Sequence, residues 1–269
     1  MASVQQLVSY WKQGMSGPGH AIEFVLRRAV PFGVPFKDME AYRITTWHHG
    51  NLSRVHLTQI FPGIETVSVN LLNLYQRKIG LSADAGEVMT LCAIEKFMGA
   101  RNVVEIGTYD GNTTLNLAAN LPDDGRISTI DLPPNWDRKF LYEVPGNYWN
   151  VTDRNRIGIQ YRGTPYEGKI RQVLGDSAGV DWSALNPPFD MVFIDGCHYR
   201  DYVKADTENA IKHIRPGGVI VWHDYGDLKD VSRVVDETAG RITIWAVRGT
   251  RLAVGWTGSS PLPTRRETN

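Results

Sequence analysis

"VVEIGTYDG", residues 103–111, is the stretch on which the fold turns. A short apolar run ends in Glu105 and Gly107, and Gly111 follows four residues later. A dinucleotide fingerprint would read G-x-G-x-x-G directly after its strand. Here Thr108 and Tyr109 follow the first glycine, so the middle glycine, which lets backbone approach a pyrophosphate, is missing. Gly107 and Gly111 still suit a tight strand-to-helix turn, because glycine enters left-handed backbone at no steric cost. The expected ligand therefore passes close to this loop but carries no diphosphate.

Around that stretch the chain alternates regularly. Apolar runs predict strands over 102–106, 126–130, 170–174, 190–194 and 219–222, and helices over 112–121, 199–214 and 228–238. Upstream, Val88, Leu91, Cys92 and Met98 recur at helical spacing from Asp84, and Gly99 closes that helix. Continuous apolar strands alternating with helices indicate a parallel sheet covered on both faces. "RITIWAVRGTRLAVGW", residues 241–256, reads instead as two alternating strands joined at Arg248-Gly249, an antiparallel hairpin closing the sheet. The expected fold is α/β: a doubly wound, mostly parallel Rossmann-like sheet ending in that hairpin, with an N-terminal mainly helical extension. Within the extension one helical stretch is expected near residues 64–79, and the tail after Thr257 is expected to be flexible. The division is 1–83 for an extension making acceptor or oligomer contacts, 84–257 for the ligand-binding domain, and 258–269 for the tail.

Composition excludes several classes. The 269 residues carry 29 basic and 29 acidic side chains, so no net charge steers the chain to nucleic acid or an anionic membrane. Two distant cysteines, Cys92 and Cys197, argue against a disulfide framework or a cysteine metal site and suit a reducing compartment. No apolar run approaches the length of a membrane span, and the start lacks a signal-peptide pattern, so a cytoplasmic location is expected.

In open parallel sheets ligands bind beyond the carboxyl ends of the strands, where strand order reverses. The residues at those ends are Glu105 with Gly107, Asp131, Asp176, Asp195, and His223 with Asp224: an acid at every strand. Acids also cap helices and begin turns, yet the whole set is more than capping alone would place. Asp131 lies 20 residues beyond Gly111 and ends the second strand, where an acid hydrogen-bonds ribose hydroxyls. A ribose without a diphosphate points to S-adenosylmethionine.

From about Asp84 to Trp256 the chain resembles the class I S-adenosylmethionine-dependent methyltransferases. "EIGTYDG" is similar to their first motif, "ISTIDL" to the second, "VLGDSAG" to the adenine-side motif, "FDMVFIDGCHY" to the fourth-strand motif and "IRPGGVIVWHDY" to the fifth. The resemblance is nearest to small-molecule O-methyltransferases of natural-product and sugar tailoring, some of them magnesium-dependent. It implies that Glu105 and Gly107 line the methionine part of the cofactor with Gly111 supporting the turn, that Asp131 binds ribose, and that Asp176 with Ser177 lies beside adenine. It implies a small-molecule acceptor, no nucleic-acid or membrane partner, and a homo-oligomer.

Transfer of a methyl group from a sulfonium to an alkyl or sugar hydroxyl needs a base or a Lewis acid, because the hydroxyl is a poor nucleophile near neutral pH. "DGCH" places His198 three residues after Asp195, and "WHDY" places Asp224 at the end of the next strand. His198 and Asp195 are the candidate catalytic residues; Asp195, Asp224 and His223 are the candidate ligands of a divalent ion such as Mg²⁺. Imidazole is a poor magnesium ligand and suits zinc, iron or nickel better, so His223 leaves the metal open. Cofactor contact or capping remain alternatives for the two aspartates, a surface turn for His198, and a structural role for His223. The paired histidines of "WHHGN", residues 47–51, lack metal spacing and read as an ordinary loop.

Residues 133–168 exceed a simple crossover and hold Trp136, Phe140, Tyr142, Tyr148, Trp149, Tyr161 and Tyr166 among polar residues, which suits a lid over the acceptor or a subunit contact. A non-catalytic binding or scaffold protein on the same fold is the competing reading. The missing glycine disfavours an NAD-dependent oxidoreductase, and the neutral charge disfavours a nucleic-acid methyltransferase.

Overall fold

In the computed structural model, which describes residues 49–74, 83–136, 139–144 and 156–258, eight strands form one sheet. The strands are β1 (Arg54–Val55), β2 (Asn102–Ile106), β3 (Arg126–Asp131), β4 (Ile170–Leu174), β5 (Phe189–Ile194), β6 (Ile214–Trp222), β7 (Thr243–Val247) and β8 (Ala253–Trp256). The helices are α1 (Leu57–Ile60), α2 (Ala85–Phe97), α3 (Asn112–Asn120), α4 (Arg200–His213) and α5 (Lys229–Thr238). Strand order is β1-β7-β8-β6-β5-β2-β3-β4. Strands β6, β5, β2, β3 and β4 are mutually parallel, β8 runs antiparallel to both β6 and β7, and β1 pairs in parallel with β7. The chain goes from β2 out to β4 on one side, then returns to β5 and β6 on the other. Order therefore reverses between β2 and β5, which is where a doubly wound sheet opens a ligand crevice.

Strand side chains alternate between the two faces, and the core follows. Val103 faces the layer that holds Leu91 of α2 and Leu117 of α3, while Val104 and Ile106 face Val203 of α4 and Val234 of α5. Val103 and Val104 are both fully buried, and burying such a side chain contributes about 1.5–3 kcal/mol. Asp84 starts α2 with a reciprocal cap: its carboxylate accepts from the Glu87 N–H at 2.8 Å, and the Glu87 carboxylate accepts from the Asp84 N–H at 3.0 Å.

Three expectations need correcting. The helical stretch near 64–79 is a 3₁₀ turn over Ile64–Thr66 followed by irregular backbone to residue 72, and residues 75–79 lie outside the described residues. There Asn116 and Asn120 of α3 take up the backbone of Leu72 and Asn70, supplying the hydrogen bonds that a helix would have made internally. The hairpin does not close the sheet, because β1 adds outside β7 with Arg54 opposite Ala246; a two-residue strand has no periodicity to read. Strand β6 begins at Ile214, with an irregularity opposite Phe189–Met191 where Gly217 takes a φ of 73°. The mainly helical character expected of residues 1–48 lies outside the described residues. Residues 49–74 share the compact unit of the sheet: Ile60, Phe61 and Ile64 are buried in the core beside Leu91 and Val103.

Candidate active site

Ladder hydrogen bonds continue one step past the strand ends and set the site residues side by side. The Gly107 N–H donates to the Ile130 carbonyl, that of Asp195 to Ile106, that of His223 to Ile194, and that of Gly175 to Asp131. The chain then turns sharply at Gly107, whose φ is 97°. A Cβ there would stand 2.1 Å from the Asp195 carbonyl oxygen, so only glycine lets the two strand ends approach this closely. Gly111, at φ 83°, has the ring of Tyr161 where a Cβ would go.

Tyr109, where the fingerprint's middle glycine would be expected, also adopts left-handed backbone, with φ 49°. That conformation costs a residue with a side chain on the order of 1 kcal/mol. Two bonds hold it: the Tyr109 N–H donates to Asp131 Oδ2 at 2.7 Å, and its carbonyl accepts from the Gly158 N–H at 2.9 Å. Asp131 Oδ1 accepts from the Leu132 N–H at 2.7 Å, so two backbone donors fix the plane of the carboxylate.

Glu105 is completely buried beneath this loop. Its Oε2 accepts from the hydroxyls of Thr114 and Thr129. Burial, opposed by those bonds and reinforced by Asp195 and Asp131, pushes its carboxyl up to about 8. A raised carboxyl favours the protonated form in the folded state. Its contribution to stability is therefore complete below the unfolded value of about 4.3 and is lost as pH rises through 8. Glu105→Gln does not titrate. Between about pH 4.5 and pH 8 the variant should gain on the parent chain by on the order of 3 kcal/mol in urea unfolding of the ligand-free protein. A constant difference across that range would show that Glu105 is ionised throughout.

After β4, Asp176 is engaged on both oxygens. Oδ2 accepts from the Tyr202 hydroxyl at 2.6 Å and the Leu141 N–H at 3.0 Å, and Oδ1 accepts from the Ala178 N–H at 3.1 Å. Asp206, a buried carboxyl on α4 whose oxygens have no hydrogen-bond partner among the described residues, is pushed by burial up to about 7.

The ends of β5 and β6 carry the densest charge. His198 Nε2 lies 3.2 Å from Asp224 Oδ2 and 3.7 Å from Asp195 Oδ1. His223 is 4% exposed and stands between carboxylates: Nε2 is 2.9 Å from Glu87 Oε2, and Nδ1 is 3.0 Å from Asp195 and 3.3 Å from Asp224. Arg251 completes the cluster, reaching Glu87 with Nη2 at 2.8 Å and Asp224 with Nη1 at 3.0 Å. Burial alone would drive protons off both histidines, but Asp195 and Asp224 outweigh it and raise both, His223 further with Glu87 added. Burial likewise opposes ionisation of Asp195, Asp224 and Glu87, and their cationic neighbours hold all three below the usual carboxylate range. The carboxylates thus favour the charged form of His223, and Arg251 offsets part of their negative charge.

Among the described residues, Asp195, His198 and Asp224 form a group whose ligand atoms all lie within 4.8 Å of one another. The 3.2 Å and 3.7 Å separations suit donors around one small divalent cation. His223 lies beside this group, with Nε2 2.9 Å from Glu87 and Nδ1 3.0 Å from Asp195. Glu87 and Arg251 were not singled out from sequence. The Asp84-x-x-Glu87 pair reads as a helix cap, and Arg251 as an exposed residue of the hairpin.

The expected lid divides. At 139–144, Leu141 and Tyr142 sit beside Asp176 and Tyr202. At 156–168 the chain packs against the glycine loop, with Ile157 and Tyr161 buried. Residues 145–155 lie outside the described residues. The "WHHGN" loop also has a role that sequence alone did not suggest. The His49 N–H donates to the Gly226 carbonyl, and Gly50 lies flat on Tyr225, one residue past Asp224.

Residues 104–225 match the family model described as a methyltransferase domain. Caffeoyl-CoA O-methyltransferase 2 of Zea mays is 30% identical over 141 residues, 52% of this chain and 47% of the relative. Catechol O-methyltransferase of Mycobacterium tuberculosis is 28% identical over 151 residues, 54% and 56% of the two chains. The chain thus spans about half the length of the curated relatives it matches. The crystal structure of the SAH-bound Podospora anserina methyltransferase PaMTH1 matches with a TM-score of 0.50 at 12% identity, over 86% of this chain and all of that one, a likeness of fold. No helix among the described residues is long and apolar enough to cross a membrane.

Proposed function

We propose that this chain transfers a methyl group from S-adenosylmethionine to a hydroxyl of a small molecule, a sugar or another natural product. The observation that carries the reading is the convergence of Asp195, His198 and Asp224 on a strand end packed against the Gly107 turn. A binding protein has no need of a histidine–carboxylate group there. The cofactor's methionine part lies along Glu105, Gly107 and Gly111, its ribose at Asp131, and its adenine beside Asp176 and Ser177. Because Asp176 is already bonded to Tyr202 and Leu141, its first task is to shape the wall, and Ser177 with neighbouring backbone meets the base.

His198 acts as general base. The carboxylate of Asp224 orients the imidazole at Nε2, which places the proton-accepting lone pair on Nδ1. Asp195 and Asp224 would hold a divalent ion, and such an ion would lower the pKa of the acceptor hydroxyl. Asp131 accepts from the ribose hydroxyls, with the plane of its carboxylate set by Tyr109 and Leu132. His49 and Gly50, beside Gly226 and Tyr225 just past β6, supply acceptor contacts, and the chain assembles as a homo-oligomer.

Calorimetry with S-adenosylhomocysteine tests the cofactor assignment. Asp131→Ala should weaken binding by about 1.5–3 kcal/mol, the cost of losing charge-assisted hydrogen bonds. Unchanged affinity in that variant would remove Asp131 from the site. Methyl transfer to a panel of polyhydroxylated acceptors then separates an enzyme from a scaffold.

A further inference from the structure

The glycine loop has a second support that the family motifs do not include. The strap after the long crossover runs back over it: the Gly158 N–H donates to the Tyr109 carbonyl and the Gln160 N–H to that of Asp110, both at 2.9 Å. Tyr161, 4% exposed, fills the space under Gly111, where an added Cβ would stand 2.7 Å from its ring. From its hydroxyl a directed chain of hydrogen bonds runs inward. Tyr161 Oη donates to Gln172 Oε1 at 2.6 Å, and Gln172 Nε2 donates to Thr108 Oγ1 at 3.0 Å. The Thr108 and Thr129 hydroxyls are 2.7 Å apart, and Thr129 donates to Glu105 Oε2 at 2.6 Å. Each hydroxyl has one proton to give, so the order runs Tyr161, Gln172, Thr108, Thr129, Glu105, and the Gln172 amide also donates to the Thr129 carbonyl at 3.1 Å. The chain ends on a buried carboxyl whose other oxygen, Oε1, has no hydrogen-bond partner among the described residues.

We propose that Tyr161 is a positioning residue for the cofactor: through Gln172, Thr108 and Thr129 it holds the Gly107–Gly111 loop and the Glu105 carboxyl in their ligand-ready arrangement before the cofactor arrives. The inference rests on the reading of this loop as the cofactor's. In a loop without the middle glycine, the strap supplies from outside the order that backbone freedom alone cannot. A hydrogen-bonded chain orients its last member more sharply than isolated contacts do, and an oriented site loses less entropy on binding.

The test uses Tyr161→Phe, which keeps the ring under Gly111 and removes only the hydroxyl, and Gln172→Leu, which breaks the next link. Hydrogen exchange of the ligand-free full chain and calorimetry with S-adenosylhomocysteine are both read. Each variant should lose protection at residues 108–112 while β5 keeps its own, and affinity should fall about 3- to 10-fold. The double variant should be no worse than the weaker single one, because both cut one chain. Parental protection of the loop in both variants, or losses that add, would overturn the proposal. A parent chain that binds no S-adenosylhomocysteine would overturn the cofactor reading instead, and the exchange data would still decide whether the strap orders the loop.

Discussion

Replacing His198 by alanine is expected to lower turnover by about 10²–10⁴-fold, the range for losing a positioned base, while affinity for S-adenosylhomocysteine stays within about twofold. The two quantities separate because His198 belongs to the acceptor side. It stands on the loop after β5 with its Nε2 3.2 Å from Asp224, whereas the proposed cofactor contacts come from the ends of β2, β3 and β4. His198→Gln tests positioning separately: the amide can hydrogen-bond Asp224 but cannot take up a proton, so it should be as slow as the alanine variant. Parental turnover in either variant would exclude His198 as the base.

Removal of divalent ions is the second large effect. Exhaustive treatment with a chelator should reduce turnover by at least about 10²-fold, and re-addition of a divalent ion should restore it, as expected when a Lewis acid activates the hydroxyl. The donor set gives the order of rescue. With His198 kept as the base, two carboxylates make an all-oxygen site, which suits magnesium or manganese better than zinc. Full activity after chelation would leave the proton transfer to His198 alone.

Much of this was legible in the sequence, and the residues show why. Strands β2 and β4 and the extents of α3, α4 and α5 follow from apolar runs and helical spacing, because buried parallel strands have no polar face to obscure them. The strand-end acids were also legible, since strand direction puts them at one edge. Glu87 and Arg251 were not: they come from a helix cap and a hairpin, and only folding brings them to His223, 136 residues from Glu87 in sequence. Sequence left His223 open between metal ligand and structural residue, because adjacency to Asp224 cannot reveal its contact with Glu87. Strand β1 was invisible because two residues carry no period, and the strap looked like lid because its aromatics suit either role.

The pairing of β1 with β7 separates two notions of a module. The stretch that can be recognised by likeness, residues 104–225, is shorter than the stretch that can stand alone. Ile60, Phe61 and Ile64 are buried in the same core as β2, each contributing about 1.5–3 kcal/mol, and Arg54 donates to the carbonyls of Val247, Thr250 and Tyr225. Inherited as a cassette from the first motif onward, this domain would arrive without part of its own interior. The portable unit begins upstream of Arg54, so recombination that respects only the motifs would yield a chain with its cofactor residues intact and one flank of the sheet open to water.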